Sequence, residues 1–319
     1  MKQKRKINQR TKAVFPILIW SVITLWCAIF LFMVAWGLMT SFKSAAGFEE
    51  NSYWLLPWQT HVQKVGIPGL PALDYWQDNW AFDNYIKVLS KDTFWVLDRY
   101  GKQVYFLEML FNTLYYVIVY GFAAIIGPML CSYIYAKYHQ RVRWVNIAWI
   151  LVLVNMYVPL SASLAASLKL AMQLNIYDNL FLFMLTFIGG FDSNFLIYYA
   201  IWKGLSWEYA EAAFMDGASH WTVLVKVMFP MTLTVFWVLF VSRIIALWAD
   251  YQTAMVFLPS YPTLAYGVYS FQFNSTEADK TGTPIRLAAL YAVALPMFAL
   301  FMIFKEKMMG SLTMGGLKG

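Results

Sequence analysis

The chain has 319 residues, of which 61% are hydrophobic and only 13% are charged, with a mean hydropathy of +0.53. Repeated apolar runs in such a composition exclude an ordinary soluble protein and predict a polytopic membrane protein. The net charge of +7 would suggest nucleic-acid binding in a soluble chain. Much of it, however, lies in the opening segment MKQKRKINQRTK, directly before an apolar run, so we predict no nucleic-acid partner.

Six apolar segments are long enough to cross the hydrocarbon core of a bilayer, which takes about 20 helical residues. They span residues 13–39, 106–135, 145–169, 180–203, 231–258 and 286–305. The first is too long for the apolar region of a signal peptide and lacks a following small-x-small cleavage site, so we expect it to remain uncleaved. The predicted fold class is therefore an all-α polytopic membrane protein with about six transmembrane helices.

Lysine and arginine in the short connections predict the orientation, because cytoplasmic loops carry an excess of both. The basic N-terminus 1–12, the loop 136–144 and the tail 306–319 are rich in them, whereas the loop 259–285 has only Lys280. We expect both termini to be cytoplasmic and the long segment 40–105 to form a small structured cap or re-entrant segment on the opposite side.

A polar segment, residues 204–230, separates the fourth and fifth predicted spans. Ser206 is a candidate N-cap, Glu208 follows where the helix dipole favours negative charge, and Gly217 is suited to the left-handed conformation that ends a helix. Ser219 then caps a second helix that leads to Pro230. These residues alone are compatible with a helix that docks into a partner and equally with a solvated connection.

The sequence EAA at 211–213, followed by Gly217, Val227 and Phe229-Pro230, resembles the EAA loop of ABC-importer permeases, EAA-x3-G-x9-I-x-LP. The DGA at 216–218 is the form common in the sugar-importer branch, although Ser206 stands where the family usually has Pro. Further similar segments are Asn112-Thr113, VPL at 158–160, Tyr177-Asp178, LWADYQ at 247–252, TLAYGVYSF at 263–271 and the tail GSLTMGGLKG at 310–319.

The resemblance implies a type I ABC-importer transmembrane domain over residues 13–305, in a plasma or inner membrane. The implied partners are a second, different permease subunit, two cytosolic ATPase subunits, an extracytoplasmic solute-binding protein, and a sugar or oligosaccharide substrate. This chain would hold no cofactor, since the ATPase subunits bind ATP and Mg. The implied ATPase-coupling residues are Glu208, Glu211, Ala212, Ala213, Asp216, Gly217 and Ala218. In the tail, Thr313, Gly315, Gly316 and Lys318 would lie at the ATPase interface.

Two further groups of residues are candidates for transport. Arg243 lies about 13 residues past Pro230, which predicts a position near mid-membrane. A guanidinium there either lines the translocation path or pairs with a carboxylate of a partner subunit. In the loop 259–285, the resemblance suggests Tyr266, Tyr269, Phe271 and Gln272 as contacts of the binding protein, although aromatic residues are also common at membrane interfaces.

The sequence gives no support for an enzyme. Gly101-Lys102-Gln103 lacks the upstream glycine and the Ser or Thr of a P-loop, and the two cysteines and three histidines are scattered. We therefore predict no catalytic residue and no metal site. The alternatives to an ABC permease are a secondary sugar transporter, which would be expected to show internal repeats, and a membrane-embedded enzyme such as a glycosyltransferase.

Overall fold

The computed structural model describes residues 2–50, 60–64, 73–77, 80–90, 93–139, 145–157, 164–189, 192–273 and 276–314. These residues are mostly helical, with two short antiparallel strand pairs, which confirms the predicted fold class. The chain divides into two compact units. One comprises residues 1–93 and 272–292, and the other comprises residues 94–271 and 293–319.

The described elements follow one another in this order. They are α1 Lys2–Ser41, α2 Ala45–Glu50, β1 Thr60–Lys64, β2 Leu73–Gln77, α3 Asp83–Leu89, β3 Trp95–Leu97, β4 Gln103–Tyr105, α4 Phe106–Tyr115, a π-helical stretch Tyr116–Tyr120, α5 Gly121–Tyr138, α6 Val145–Tyr157 and α7 Leu164–Gln173. They continue with a 3₁₀ segment Phe183–Phe187, α8 Ser193–Gly204, α9 Glu208–Met215, α10 His220–Thr222, a second π-helical stretch Val223–Met228, α11 Phe229–Trp248, α12 Gln252–Phe257, α13 Leu264–Phe273 and α14 Thr276–Met314.

The first unit is organised around the end of α1. Asn84, which is buried in α3, donates from Nδ2 to the carbonyl oxygens of Ser41 and Lys43, at 2.9 Å each. Farther back along α1, the Tyr291 hydroxyl of α14 donates to the Val34 carbonyl at 2.7 Å. A Cβ added at Gly37 would lie 2.6 Å from that hydroxyl oxygen, so glycine lets these two helices approach closely. In β1 and β2, Thr60 pairs with Gln77 and Lys64 with Leu73.

Four described helices are long and apolar enough to cross a membrane: Pro16–Ser41, Phe106–Tyr138, His220–Trp248 and Gly282–Glu306. They correspond to the first, second, fifth and sixth predicted spans. The predicted continuous span 180–203 is wrong, because a 3₁₀ segment and irregular backbone precede α8. The predicted span 145–169 coincides with α6 and the start of α7, while residues 158–163 between them lie outside the described residues.

The fifth predicted span, 231–258, has the wrong bounds. Its helix begins at His220 and ends at Trp248, because Asp250 Oδ1 accepts a hydrogen bond from Thr253 N at 3.0 Å and starts the separate helix α12. The helix also contains Pro230, which cannot donate a backbone hydrogen bond and directly follows the π-helical stretch Val223–Met228 and Phe229. Arg243 is about 7.5 Å from Trp248, where this helix ends.

The core of the second unit is built on α5, which packs against α8 and α11. Tyr116, Tyr120 and Phe183 are buried beside it, and the Tyr120 hydroxyl donates to the Leu180 carbonyl at 2.6 Å. At Gly127, α5 and the segment before α8 approach very closely, because a Cβ at this position would collide with the backbone carbonyl of Gly189. The absence of a side chain at Gly127 therefore sets how near the segment before α8 comes to α5.

Replacing Gly127 with alanine should destabilise the protein by about 1–3 kcal/mol, the usual cost of forcing extra volume into a packed core. Thermal unfolding of the purified protein in detergent, together with its abundance in membranes, measures this effect. Gly204→Ala is the matched control, because nothing lies within 4 Å of a Cβ added there. Equal stability of Gly127→Ala and Gly204→Ala would contradict the close packing.

Candidate functional site

Helix α9 and the residues around it adopt the capped geometry that the sequence predicts. The Ser206 hydroxyl accepts a hydrogen bond from Glu208 N at 3.3 Å. At the other end Gly217 has φ +83°, Gly217 N donates to Phe214 O at 3.0 Å, and Ala218 N donates to Ala213 O at 3.0 Å. This bond pattern is a Schellman motif, in which a residue with positive φ ends the helix and satisfies its last carbonyls.

The next helix begins immediately after this turn. The Ser219 hydroxyl caps it by accepting a hydrogen bond from Thr222 N at 3.2 Å, as the sequence predicts. The helix then continues from His220 through the π-helical stretch 223–228 to Trp248. Helix α9 packs against this π-helical stretch and so contacts the long helix directly.

The faces of α9 differ in exposure, and the sequence did not distinguish them. Ala210 is fully buried, at 0% exposure, whereas Glu208, Glu211 and Ala212 are exposed. Met215 is 88% exposed, the largest value for a large apolar side chain near α9. Among the predicted coupling residues, Asp216 and Gly217 are exposed and Ala213 and Ala218 are half-buried. The free surface of α9 therefore combines two acidic side chains and a small one with two large side chains, Tyr209, which is 52% exposed, and Met215.

Lys137, at the end of α5, holds the connection between α8 and α9. Its Nζ donates to the Leu205 carbonyl at 2.7 Å and lies 5.7 Å from the centroid of the Trp207 ring. The neighbouring Tyr138 hydroxyl is hydrogen-bonded to His220 Nδ1 at 2.8 Å. In the sequence, Lys137 is one of the basic residues of the loop 136–144 that predict orientation. Only the folded contact, between residues 68 positions apart, reveals its attachment to the α9 connection.

A polar cavity of about 380 Å³ lies beside this attachment. It is lined by Ala136, Lys137, His139, Lys203, Leu205, Trp207 and Glu211. Lys203 lies 5.6 Å from the centroid of the Tyr199 ring. The carboxylate of Glu211 thus shares a cavity with two lysines of this chain while remaining exposed on α9.

A larger cavity, of about 640 Å³, lies within the second unit. Its lining combines small and apolar residues with hydroxyl groups and two charged side chains, and comprises Ala124, Ala166, Ser167, Leu170, Ala171, Leu174, Ile176, Phe183, Thr186, Phe187, Gly189, Asp192, Arg243, Thr253 and Phe257. Arg243, the predicted path residue, therefore faces a cavity. The sequence did not indicate that Phe187 and Asp192 line the same cavity as Arg243. Both lie in the segment 180–203, which the sequence predicted to be one continuous span.

Two other polar clusters join distant parts of the second unit. Asp178, with φ 54°, accepts hydrogen bonds from Ser260 N at 2.9 Å and from Ser260 Oγ at 2.7 Å, and forms an ion pair with Arg99 at 3.4 Å. The Thr113 hydroxyl accepts from Leu264 N at 2.8 Å, and Asn112 Nδ2 donates to the Pro262 carbonyl at 3.1 Å. The pairs Asn112-Thr113 and Tyr177-Asp178, which resemble short motifs of ABC-importer permeases, therefore supply hydrogen bonds to the segment that leads into α13.

The four loop candidates lie in α13 and differ in exposure. Tyr269 stacks on Tyr251 with ring centroids 4.4 Å apart, and Gln272 is exposed. Tyr266 is half-buried, and its burial, with a smaller contribution from Tyr269, raises the pKa of its phenol. Phe271 is only 3% exposed and packs edge-on against Phe94, which gives it a role in the core.

The tail candidates are described only in part. Thr313 lies in the last turn of α14, whereas Gly315, Gly316 and Lys318 lie outside the described residues. Among the side chains that the structure describes, no group of three or more His, Cys, Asp or Glu residues is arranged to hold a metal ion.

Several proteins of known role are similar to this chain. The diacetylchitobiose uptake system permease protein NgcG of Streptomyces coelicolor is 21% identical over 298 residues, covering 92% of this chain and 86% of that protein. The maltodextrin transport system permease protein MdxG of Bacillus subtilis is 26% identical over 231 residues, covering 70% and 81%. The arabinooligosaccharides transport system permease protein AraQ of Bacillus subtilis is 25% identical over 234 residues, covering 73% and 80%.

The fold has a counterpart among solved structures. A chain in the crystal structure of a bacterial ABC transporter involved in the import of the acidic polysaccharide alginate superimposes with a TM-score of 0.73, over 93% of this chain and 97% of that chain. At 18% identity this similarity concerns the fold alone.

Residues 105–306 match the family described as the binding-protein-dependent transport system inner membrane component. Its members are transport subunits and not enzymes, so the family match removes the membrane-embedded enzyme, and it leaves the secondary transporter without support. A transport system of this kind works through a permease partner, an ATPase and a solute-binding protein. The chain is thus a multi-pass membrane protein and belongs to the family of binding-protein-dependent transport system inner membrane components.

Proposed function

We propose that this chain is the membrane-spanning permease subunit of an ATP-driven carbohydrate importer, and that α9 docks onto a cytosolic ATPase subunit. The substrate class is supported by the names of the relatives, which are permeases for diacetylchitobiose, maltodextrin and arabinooligosaccharides. All three are oligosaccharides, so an oligosaccharide is the proposed cargo.

The single observation that carries the proposal is the geometry of α9. A helix of eight residues has its first N–H bonded to the Ser206 hydroxyl and is ended by a Schellman turn, which satisfies its last carbonyls without a neighbour. Its exposed side chains are two glutamates, Tyr209, an alanine and Met215, whereas Ala210 is fully buried. This helix offers a short surface with two acidic and two large side chains, which suits a partner groove with basic residues and apolar pockets.

The proposed assembly contains a second, different permease subunit, two ATPase subunits and an extracytoplasmic solute-binding protein. Both termini and α9 lie on the cytoplasmic side, and the segments 40–105 and 259–285 lie outside. Closure of the ATPases on ATP draws the α9 helices together and switches the cavity from inward-facing to outward-facing, which is alternating access driven by an interface with two stable arrangements.

Individual residues take the following roles in this proposal. Glu211 pairs with a basic residue of the ATPase, and the tail with Thr313, Gly315, Gly316 and Lys318 inserts at the ATPase interface. Tyr266, Tyr269 and Gln272 contact the binding protein, whereas the burial of Phe271 argues for a packing role. Arg243 lines the translocation path, which the cavity at its side chain supports.

Docking should be sensitive to the exposed face and to the turn of α9. Ala212→Trp adds bulk where the side chain is exposed, and Gly217→Val puts a β-branched residue at φ +83°, which costs on the order of 1–2 kcal/mol. Glu211→Ala removes one charge of a desolvated pair, which costs about 2–5 kcal/mol. Co-purification of the ATPase and sugar uptake, at matched permease levels, should both fall in all three variants.

Gly101→Val is the matched control for the turn, since Gly101 has φ +78° and, like Gly217, nothing within 4 Å of an added Cβ. It should leave ATPase association unchanged, because it changes the turn between β3 and β4. If Ala212→Trp and Gly217→Val both retained full association and uptake, α9 would be an ordinary connection and the proposal would fail.

Lys137 should couple α9 to α5 in transport. Lys137→Met keeps the apolar stem but removes the charged donor to the Leu205 carbonyl, and such bonds contribute roughly 1.5–3 kcal/mol. We expect the ATPase to remain bound, while the amount of sugar imported per ATP hydrolysed falls several-fold in proteoliposomes. Lys203→Met is the control, because Lys203 lines the same polar cavity without a described bond to the connection. Equal transport ratios for the two variants would remove this role from Lys137.

A further inference from the structure

Arg243 carries a charge inside the 640 Å³ cavity that no described residue neutralises. Its Nε is buried and has no hydrogen-bond partner among the described residues. The guanidinium carbon lies 5.6 Å from the centroid of the Phe187 ring, which makes a cation–π contact among the described residues. An aromatic face attracts a cation but supplies no hydrogen-bond acceptor in the plane of the guanidinium.

Asp192, the other charged group in the cavity lining, is already satisfied. Its carboxylate accepts hydrogen bonds from Asn194 N at 3.1 Å, from Phe195 N at 3.3 Å and from Asn194 Nδ2 at 3.0 Å. It also caps the N-terminus of α8, where the helix dipole compensates a negative charge. No ion pair joins it to Arg243 in the described part of the chain. The charge of Asp192 is therefore offset locally, and the charge of Arg243 is not.

The rest of the cavity suits a carbohydrate. Hydroxyl groups of Ser167, Thr186 and Thr253 line it together with the rings of Phe183 and Phe257. Hydroxyls exchange hydrogen bonds with sugar hydroxyls, and aromatic rings pack against the apolar faces of pyranose rings. The volume of about 640 Å³ lies within the range of about 300–1,000 Å³ for small-molecule sites. A sugar unit with a carboxylate would supply the acceptor that Arg243 lacks.

We propose that the cargo is an acidic oligosaccharide containing a uronic acid, and that Arg243 binds its carboxylate through paired N–H···O bonds in this cavity. This inference rests on the proposed function, since it assigns a substrate class to the same importer. A planar guanidinium matches a carboxylate in a bidentate geometry that lysine cannot reproduce. An intramembrane arginine that faces a cavity is also the expected mark of a substrate path. The competing explanation is a carboxylate of the partner permease that pairs with Arg243.

The test uses the complete transporter with its binding protein in proteoliposomes. Uptake is measured for three matched pairs of labelled disaccharides: digalacturonate and galactobiose, diglucuronate and cellobiose, and dimannuronate and mannobiose. Arg243→Gln and Arg243→Lys are compared with the wild-type chain and with Lys169→Gln, which removes an exposed positive charge of α7 that does not line the cavity. Assembly of each variant is measured by co-purification of the partner permease and the ATPase.

We expect ATP-dependent uptake of at least one uronate in clear preference to its neutral counterpart. Arg243→Gln should lower that uptake about 10-fold or more with normal assembly, Arg243→Lys should be intermediate, and Lys169→Gln should match the wild type. Import of neutral disaccharides alone, or of none of the six by an assembled transporter, overturns the inference. Loss of assembly in Arg243→Gln also overturns it, in favour of the partner carboxylate. The proposed function fails separately, if the wild-type chain does not co-purify with an ATPase.

Discussion

Every helix break in this apolar chain must have its backbone polar groups satisfied inside the protein, and this constraint organises the second unit. In a membrane, an unpaired N–H or C=O has no water to bind and costs several kcal/mol. Three aspartates meet this need. Asp192 caps α8, Asp250 caps α12, and Asp178 binds the backbone and hydroxyl of Ser260. Acidic residues that would suggest catalysis in a soluble enzyme thus serve here to end and restart helices.

The same constraint explains how α9 is attached. The chain leaves α8 at Leu205, whose carbonyl no longer has an intrahelical partner, and Lys137 of α5 supplies the donor at 2.7 Å. On the far side, the Schellman turn at Gly217 and the Ser219 cap satisfy the backbone within six residues. The α9 segment is thereby held rigidly between two helices. In the proposed importer, a docking partner on α9 would therefore act on α5 and on the long helix that includes α11.

Arg243 differs from these aspartates because its charge is not used to complete a helix. It lies inside a helix whose backbone bonds are already made, and it faces the cavity that also receives Phe187. A charged group that contributes nothing to the local backbone and has no described counter-ion is better explained by transport than by folding.

The sequence by itself determined the membrane class, four of the spans, and the start and end of α9, because hydropathy, caps and a positive-φ glycine act within one turn of helix. It failed at span 180–203, where composition is equally apolar in a helix and in the 3₁₀ segment that is actually present. The end of the fifth span was also missed, since apolar residues continue beyond the break at Asp250.

Only the tertiary structure decided that Ala210 is buried while Ala212 is exposed, and that Lys137 holds Leu205. It alone also placed Arg243 beside Phe187 in a cavity. These facts depend on contacts between residues far apart in the chain, and local patterns of apolar and polar residues carry no record of which distant surfaces meet.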